Sequence, residues 1–421
     1  MTAGRTGQAL GAVGAPPRGG SHRVFLTVVA GLGAVSPLAT DLYVPALPDM
    51  ARSLGTTVAG TQATLTAFLL GVITGQLVLG PVSDLVGRRP ILLSGTCAFA
   101  VFSLGCACAP TIEVMTTLRF GQGIGGAAGI VVGRAVIVDM YRGVELSRAY
   151  ATLSAIGALG PVIAPVLGGG LLAVAPWRFL FIALALAGTA LTIAAGRVVP
   201  ESLPRERRVG GGARGALRTA GTLLSQPSVL VPIVTMGCMG AAVFAYIAGA
   251  TFVLHDLMHL SATKSSVVYG INALANLGAS LLYGRLVRTR RPETLMVVGA
   301  VTGLGGQFLL LTLTAAVGVH LWAFCLCLLI TVASFGFLFP ALSAVGQSRG
   351  RTAPGTMAAL LGVAQFSFGA AASPLIGLFG TSSATPMTVV MSTFLALTTV
   401  GAFICRQQGR SGKLTVNIQE I

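Results

Sequence analysis

The chain has 421 residues, 54% of them hydrophobic and only 9% charged, with a mean hydropathy of +0.86. That composition excludes a soluble domain wrapped around one core and specifies a protein that crosses a membrane many times. A net charge of +16 would suit nucleic-acid binding in a soluble chain, but here the basic residues follow the membrane, so no nucleic-acid partner is expected.

In chain order, residues 1–22 are rich in Gly, Ala and Pro. They contain no apolar stretch that ends in a small-residue cleavage site, so a disordered cytoplasmic tail is expected and not a signal peptide. A spanning helix takes about 20 apolar residues to cross about 30 Å of hydrocarbon. Such runs lie near 24–47, 61–83, 90–109, 112–138, 147–174 and 178–198, which makes residues 23–198 a six-helix bundle. Residues 199–228 break the pattern with Pro, Gly, Arg205, Arg207, Arg208, Arg214 and Arg218, a basic cytoplasmic linker. Six more runs, near 229–254, 265–287, 294–316, 320–345, 353–379 and 386–405, define a second bundle over 229–405, and 406–421 form a cytoplasmic tail. The expected fold class is an all-α membrane protein with twelve transmembrane helices in two pseudo-symmetric six-helix bundles. An internal echo supports the duplication: Arg88-Arg89-Pro90 returns as Arg290-Arg291-Pro292 at an offset of 202 residues.

Of the 27 Lys and Arg, only Arg52, Arg178 and Lys264 fall on one side of this topology, and Arg119 and Arg134 lie within spans. The rest gather on the other side. By the positive-inside rule that side is cytoplasmic, so both termini are expected in the cytoplasm of a bacterial plasma (inner) membrane protein. The 7 cysteines sit in or beside apolar runs without metal-ligand spacing and read as free thiols. Gly121, Gly123 and Gly126 match GxGxxG, but inside an apolar helix with no preceding strand they are packing glycines. No P-loop and no Ser/His/Asp set occurs, so neither ATP hydrolysis nor enzymatic catalysis is expected, no cofactor is called for, and a proton gradient is the implied energy source.

Charge placement then selects the chemistry. Of the 11 acids, Asp41 alone falls within a run away from its cytoplasmic end. An acid inside a bilayer is costly and marks a functional site. Burial favours the neutral carboxyl, whereas water entry or a nearby arginine favours the anion, so a site opened alternately to two faces could carry a proton between them. At about 1.5 Å per residue, Arg119 in the fourth run lies at a depth similar to that of Asp41, which makes it a candidate partner without requiring direct contact. Tyr43, Phe244, Tyr246, Asn272, Asn276, Phe335 and Gln365 are candidate substrate-binding residues, because they offer aromatic faces or uncharged polar groups within spans. With one buried acid, a neutral amphipathic compound or a monocation suits the cavity better than a polyanion.

The turn from Gly80 to Leu92, GPVSDLVGRRPIL, carries one acid and two arginines between two apolar runs. It resembles the signature loop of the major facilitator superfamily, Gly-x-x-x-Asp-x-x-Gly-Arg-Arg/Lys, with Gly80, Asp84, Gly87, Arg88 and Arg89 in place and Leu85 where an Arg is frequent. The resemblance implies a conformational lock in which Asp84 meets the start of the eleventh helix and Arg88 pairs with Asp139. Within the superfamily, Asp41-Leu42-Tyr43-Val44-Pro45-Ala46-Leu47-Pro48 is similar to the D-x-Y-x-P-A-x-P segment of the Bcr/CflA drug exporters. Arg119 resembles the arginine that assists proton coupling, and Ala353 to Gly362 is close to the group's A-G-T-A-S-A-L-L-G segment. Gly157, Gly160, Pro161, Pro165 and Gly168 resemble the antiporter motif of the fifth helix, with Ala164-Pro165 where many exporters have paired glycines. What the resemblance implies is proton-coupled efflux of small amphipathic drugs, multidrug or chloramphenicol-type, by a protein that works as a monomer in the lipid bilayer. An uptake symporter of the same fold and a non-transporting sensor remain alternatives.

Overall fold

The computed structural model describes residues 20–43, 46–157, 159–208, 212–260, 262–317, 320–378 and 384–419. Every regular element among them is helical. Most of the expected disordered tail, residues 1–19, lies outside the described residues.

The first half comprises α1 (Gly20–Asp41), a short α2 (Leu47–Ser53), α3 (Val58–Val86), α4 (Arg88–Ala107), α5 (Ile112–Met140), α6 (Gly143–Gly157), α7 (Gly160–Leu172) and α8 (Arg178–Val198). The second comprises α10 (Pro227–Phe252), α11 (Ala262–Leu286), α12 (Pro292–Val317), α13 (Leu321–Arg349), α14 (Pro354–Leu378) and α15 (Thr385–Gln419). Between them α9 (Gly212–Leu224) forms inside the basic stretch and touches α3, α10 and α14, so the connector is partly a helix laid along both halves. The last helix runs on through Gln419, well past residue 405.

Among the described residues, eleven helices are long and apolar enough to cross a membrane. The remaining expected span, 147–174, is divided into α6 and α7, each too short to cross alone. Gly157 ends the first piece, and Gly160-Pro161 opens the second, where Pro has no N–H to give the preceding turn. The first span differs too: α1 stops at Asp41 instead of running to residue 47. Asp41 is therefore the last residue of its helix.

Large apolar side chains such as Val101 (63% exposed), Leu186 (66%) and Trp322 (85%) point outward. A soluble surface would not carry so many, whereas hydrocarbon accepts them. In α5, by contrast, 89% of the spanning window is buried, which makes it the central helix of its half. Its glycines permit this: a Cβ at Gly125 would lie 2.6 Å from the backbone N of Phe99 on α4. The halves meet through α3, α5 and α6 on one side and α11, α13 and α14 on the other. These are the second, fourth and fifth spans of each half, the pattern a duplicated bundle produces.

Candidate functional site

One end of the interface, called here the basic face, is built on the turn between α3 and α4. Gly87 closes α3 with φ 118°, a left-handed conformation natural to glycine, and starts α4 without a side-chain cap. The cap comes from the chain after α8: Glu201 accepts hydrogen bonds from the backbone N–H of Arg88 (2.9 Å) and Arg89 (3.3 Å). Across the interface α14 begins with Pro354, preceded by Ala353, which has no capping oxygen. Its free N–H groups are taken by the other half. Gly355 N and Thr356 N donate to the Asp84 carboxylate at 3.0 and 2.7 Å, and the Thr356 hydroxyl adds a bond of 2.7 Å. A carboxylate at a helix N-terminus gains from both the bonds and the helix dipole.

The approach is close because both facing positions are glycine. A Cβ at Gly80 would lie 2.6 Å from Gly355 O, and one at Gly355 would lie 2.7 Å from Ser83 Oγ. Arg88 ties the network together and is itself fully buried. It pairs with Asp84 (2.7 Å) and Asp139 (2.9 Å), and donates to Ser83 Oγ (2.8 Å). Ser202 donates a further bond of 2.9 Å to Asp139. A buried guanidinium is tolerable only with its charge balanced, and here two carboxylates engage Nε and Nη1 while Nη2 is left without a partner among the described residues. Arg89 takes no part in the pairing: it is exposed and donates to the carbonyl of Gly196.

Further contacts across the halves lie on the same side of the molecule. Ser154 and Ser280 hydroxyls are 2.9 Å apart, and the buried Arg134 guanidinium lies 5.2 Å from the ring centre of Phe339.

The second group of charges lies toward the opposite face. Asp41 is half-buried at the end of α1, and its described hydrogen bond is from the neighbouring Thr40 hydroxyl at 3.0 Å. No ion pair joins it to Arg119. Arg119 is fully buried among aromatic rings, 4.4 Å from the centre of Tyr43 and 4.3 Å from that of Phe68, and it bonds Gln122, which in turn bonds Ser103 at 2.6 Å. Tyr43, held by Thr64 at 3.2 Å, sets the end of α1 at the level of Arg119, so the two charged groups share a depth without touching. The broken fifth span packs on this same corner. A Cβ at Gly160 would be 3.7 Å from Pro37, and one at Gly168 would clash with the Leu42 backbone, so α7 rests on the end of α1 that carries Asp41. Pro161 lies at the start of α7 and Pro165 within it, but their side chains fall outside the described residues.

The candidate substrate residues are brought together only in part. Tyr43 is sealed beneath Arg119. Asn272 donates to the Tyr246 hydroxyl at 3.1 Å, Asn276 donates to Val332 O at 3.0 Å, and Phe335 is buried in the second-half core. Phe244 stands edge-on to Phe366 at 5.9 Å, and Phe366 also packs against the first-half core. The neighbouring Gln365 has a buried side-chain oxygen with no partner. Phe366, Glu201, Ser202, Phe68 and Gln122 escape sequence reasoning because each acts through a residue distant in the chain. Glu201 had one local signal, a carboxylate just where the sixth span ends.

This architecture is that of a two-bundle membrane transporter, and the comparisons give its family. The chain belongs to the Major Facilitator Superfamily, whose sequence profile matches residues 29–374. It is 33% identical over 375 residues to the Uncharacterized MFS-type transporter YdgK of Bacillus subtilis (strain 168), covering 88% of this chain and 93% of the relative. It is 26% identical over 385 residues to the Bicyclomycin resistance protein homolog of Haemophilus influenzae, covering 90% and 95%. The solved MFS proton:xylose symporter XylE shares the fold with a TM-score of 0.76 at 15% identity, covering 91% of this chain and 95% of that one. The chain is thus a multi-span transporter of this superfamily, related to proteins named for drug resistance, and not an enzyme.

Proposed function

We propose that the protein exports small amphipathic molecules, antibiotics among them, in exchange for protons, with its basic face in the cytoplasm of a bacterial plasma membrane. The orientation rests on the crowding of Lys and Arg at that face. The export direction rests on the Gly/Pro break of the fifth span and on kinship with a bicyclomycin resistance homolog. One observation carries the proton role. Asp84 and Asp139 are tied to Arg88, whereas Asp41, at the depth of a buried arginine, has no cation on its carboxylate among the described residues. An acid already engaged by a guanidinium is committed to holding the two halves together, whereas one without such a partner can change its surroundings as the halves move.

The contacts through Asp84, Ser154 and Arg134 close the cytoplasmic half of the interface, as alternating access requires of one of its end states. Arg119 then serves as the resident positive charge that biases Asp41 toward release when the two approach. Phe244, Tyr246, Asn272, Asn276, Phe335, Gln365 and, added by the structure, Phe366 supply the second-half wall of the substrate path. One proton moving down about 100 mV releases about 2.3 kcal/mol, enough to hold a solute gradient on the order of fifty-fold.

The test is uphill transport in reconstituted vesicles under an imposed pH gradient, with chloramphenicol and a lipophilic cationic dye as probes. Wild-type protein should move probe against its gradient, an uncoupler should stop it, and Asp41→Asn should retain only downhill exchange. Undiminished uphill transport by Asp41→Asn overturns the carrier assignment. Greater dye retention by expressing cells than by controls would turn the direction to uptake.

A further inference from the structure

Directly beneath the lock lies a pocket of 270 Å³ whose walls come from both halves. Asp139 and Arg142 line it from the end of α5, Ser202 from the chain after α8, and Arg351, Thr352 and Pro354 from the start of α14 and the loop before it. Arg142 lies two residues beyond the spanning helix Ile112–Met140, and Arg351 two beyond Leu321–Arg349. Both therefore stand where hydrocarbon gives way to headgroups.

The charges do not balance. Asp139 is engaged by Arg88 and Ser202, and Asp84 by Arg88 and the α14 N-terminus. Glu201 and Arg208 both lie beside Gly87, and their opposite charges cancel in the count. Setting the surplus acid of the lock against Arg142 and Arg351 leaves one positive charge in excess. Arg142 bonds the last carbonyls of α5, Val138 O and Tyr141 O, which fixes its guanidinium at the mouth. Arg351 is exposed and, among the described residues, makes no hydrogen bond or ion pair. Partial burial, and after it the nearby Arg142, hold the Arg351 guanidinium below its ordinary pKa. Closing the halves thus brings two cations together across the seam, and a bound anion would turn that repulsion into a bridge.

We propose that this pocket binds a phosphate group between Arg142 of the first half and Arg351 of the second, and that its occupancy favours the form closed to the cytoplasm. The Thr352 hydroxyl adds a donor. A lipid headgroup and a free phosphate present the same chemistry, and an anion that binds only the closed form stabilises it by mass action. The pocket takes its place at the cytoplasmic seam from the orientation proposed above and is independent of which solute is carried.

The experiment is thermal unfolding of the purified full chain in neutral detergent. One arm titrates inorganic phosphate against chloride at matched ionic strength, and the other titrates phosphatidylglycerol against phosphatidylethanolamine in mixed micelles. Arg351→Ala is the informative variant because that side chain is exposed and makes no bond among the described residues, so little of the fold depends on it. Arg290→Ala, on a distant exposed turn, controls for bulk charge. Phosphate or phosphatidylglycerol should raise the wild-type and Arg290→Ala midpoints, and Arg351→Ala should need about tenfold more ligand for the same rise. A response to phosphatidylglycerol alone assigns a headgroup, and a response to inorganic phosphate assigns a soluble anion. No rise with either, or an equal rise in Arg351→Ala, overturns the proposal.

Discussion

Two turns in this molecule share the tripeptide Arg-Arg-Pro, and they behave in opposite ways. At Arg88-Arg89-Pro90 the first arginine is wholly buried and bonded to two carboxylates. At Arg290-Arg291-Pro292 both arginines are exposed and, among the described residues, paired with no acid. The difference lies at neighbouring positions. Carried along by 202 residues, Asp84 corresponds to Leu286, Gly80 to Leu282 and Gly87 to Thr289. Without the acid there is nothing to balance a buried guanidinium, so although α6 still packs close to α11 at Gly284, where a Cβ would lie 3.2 Å from Ala151, no charged tie forms there. The duplication therefore supplied two similar frames, and one of them became a tie between the halves.

The largest effect is expected from removing the arginine that holds the first turn together. Arg88→Ala strands Asp84 and Asp139 in a buried site, and a loss of about 3–5 kcal/mol should appear as a marked fall in the unfolding midpoint of the purified protein, together with lost transport. Arg88→Lys should fall between, since one ammonium cannot fork to two carboxylates. Asp84→Asn keeps the shape and removes the charge at the α14 N-terminus. It should melt near the wild type yet transport poorly, because the balance between the two end states has moved; transport at the wild-type rate would remove its role as a lock. Glu201→Ala strips the cap from α4, with an expected cost of about 1 kcal/mol and a smaller loss of transport. Smallest of all, Arg290→Ala should lie within about 0.5 kcal/mol of the wild type, and a large effect there would show that the second turn is also a working contact.

Much of the arrangement is legible in the sequence where the relevant residues are contiguous. The turn from Gly80 to Leu92 is visible as a unit because glycine, acid and arginines fall within one short stretch. The break in the fifth span is not anticipated by run length, which reads 147–174 as one span, although its cause is local: Gly157, Gly160 and Pro161 disrupt helical bonding there. Asp41 stands out by elimination among so few acids. Its place at the very end of α1 does not, because helix boundaries near prolines depend on how the following residues pack. Arg119 is the clearest case of a partner invisible in the sequence: depth along two helices puts it level with Asp41, but rotation about α5 turns it into Tyr43 and Phe68.

Apolar run lengths and the placement of arginines determine by themselves that this chain is a polytopic, two-bundle membrane protein, because hydrocarbon thickness sets helix length whatever the neighbours. Tertiary structure alone decided that Glu201 caps α4 and that Arg142 meets Arg351 over a shared pocket, whereas Asp84 at the start of α14 is implied by the resemblance of its turn and receives from the structure only its partner atoms. Those pairings join residues far apart in the chain, and their existence depends on the rotation and closeness of packed helices, which no local pattern encodes.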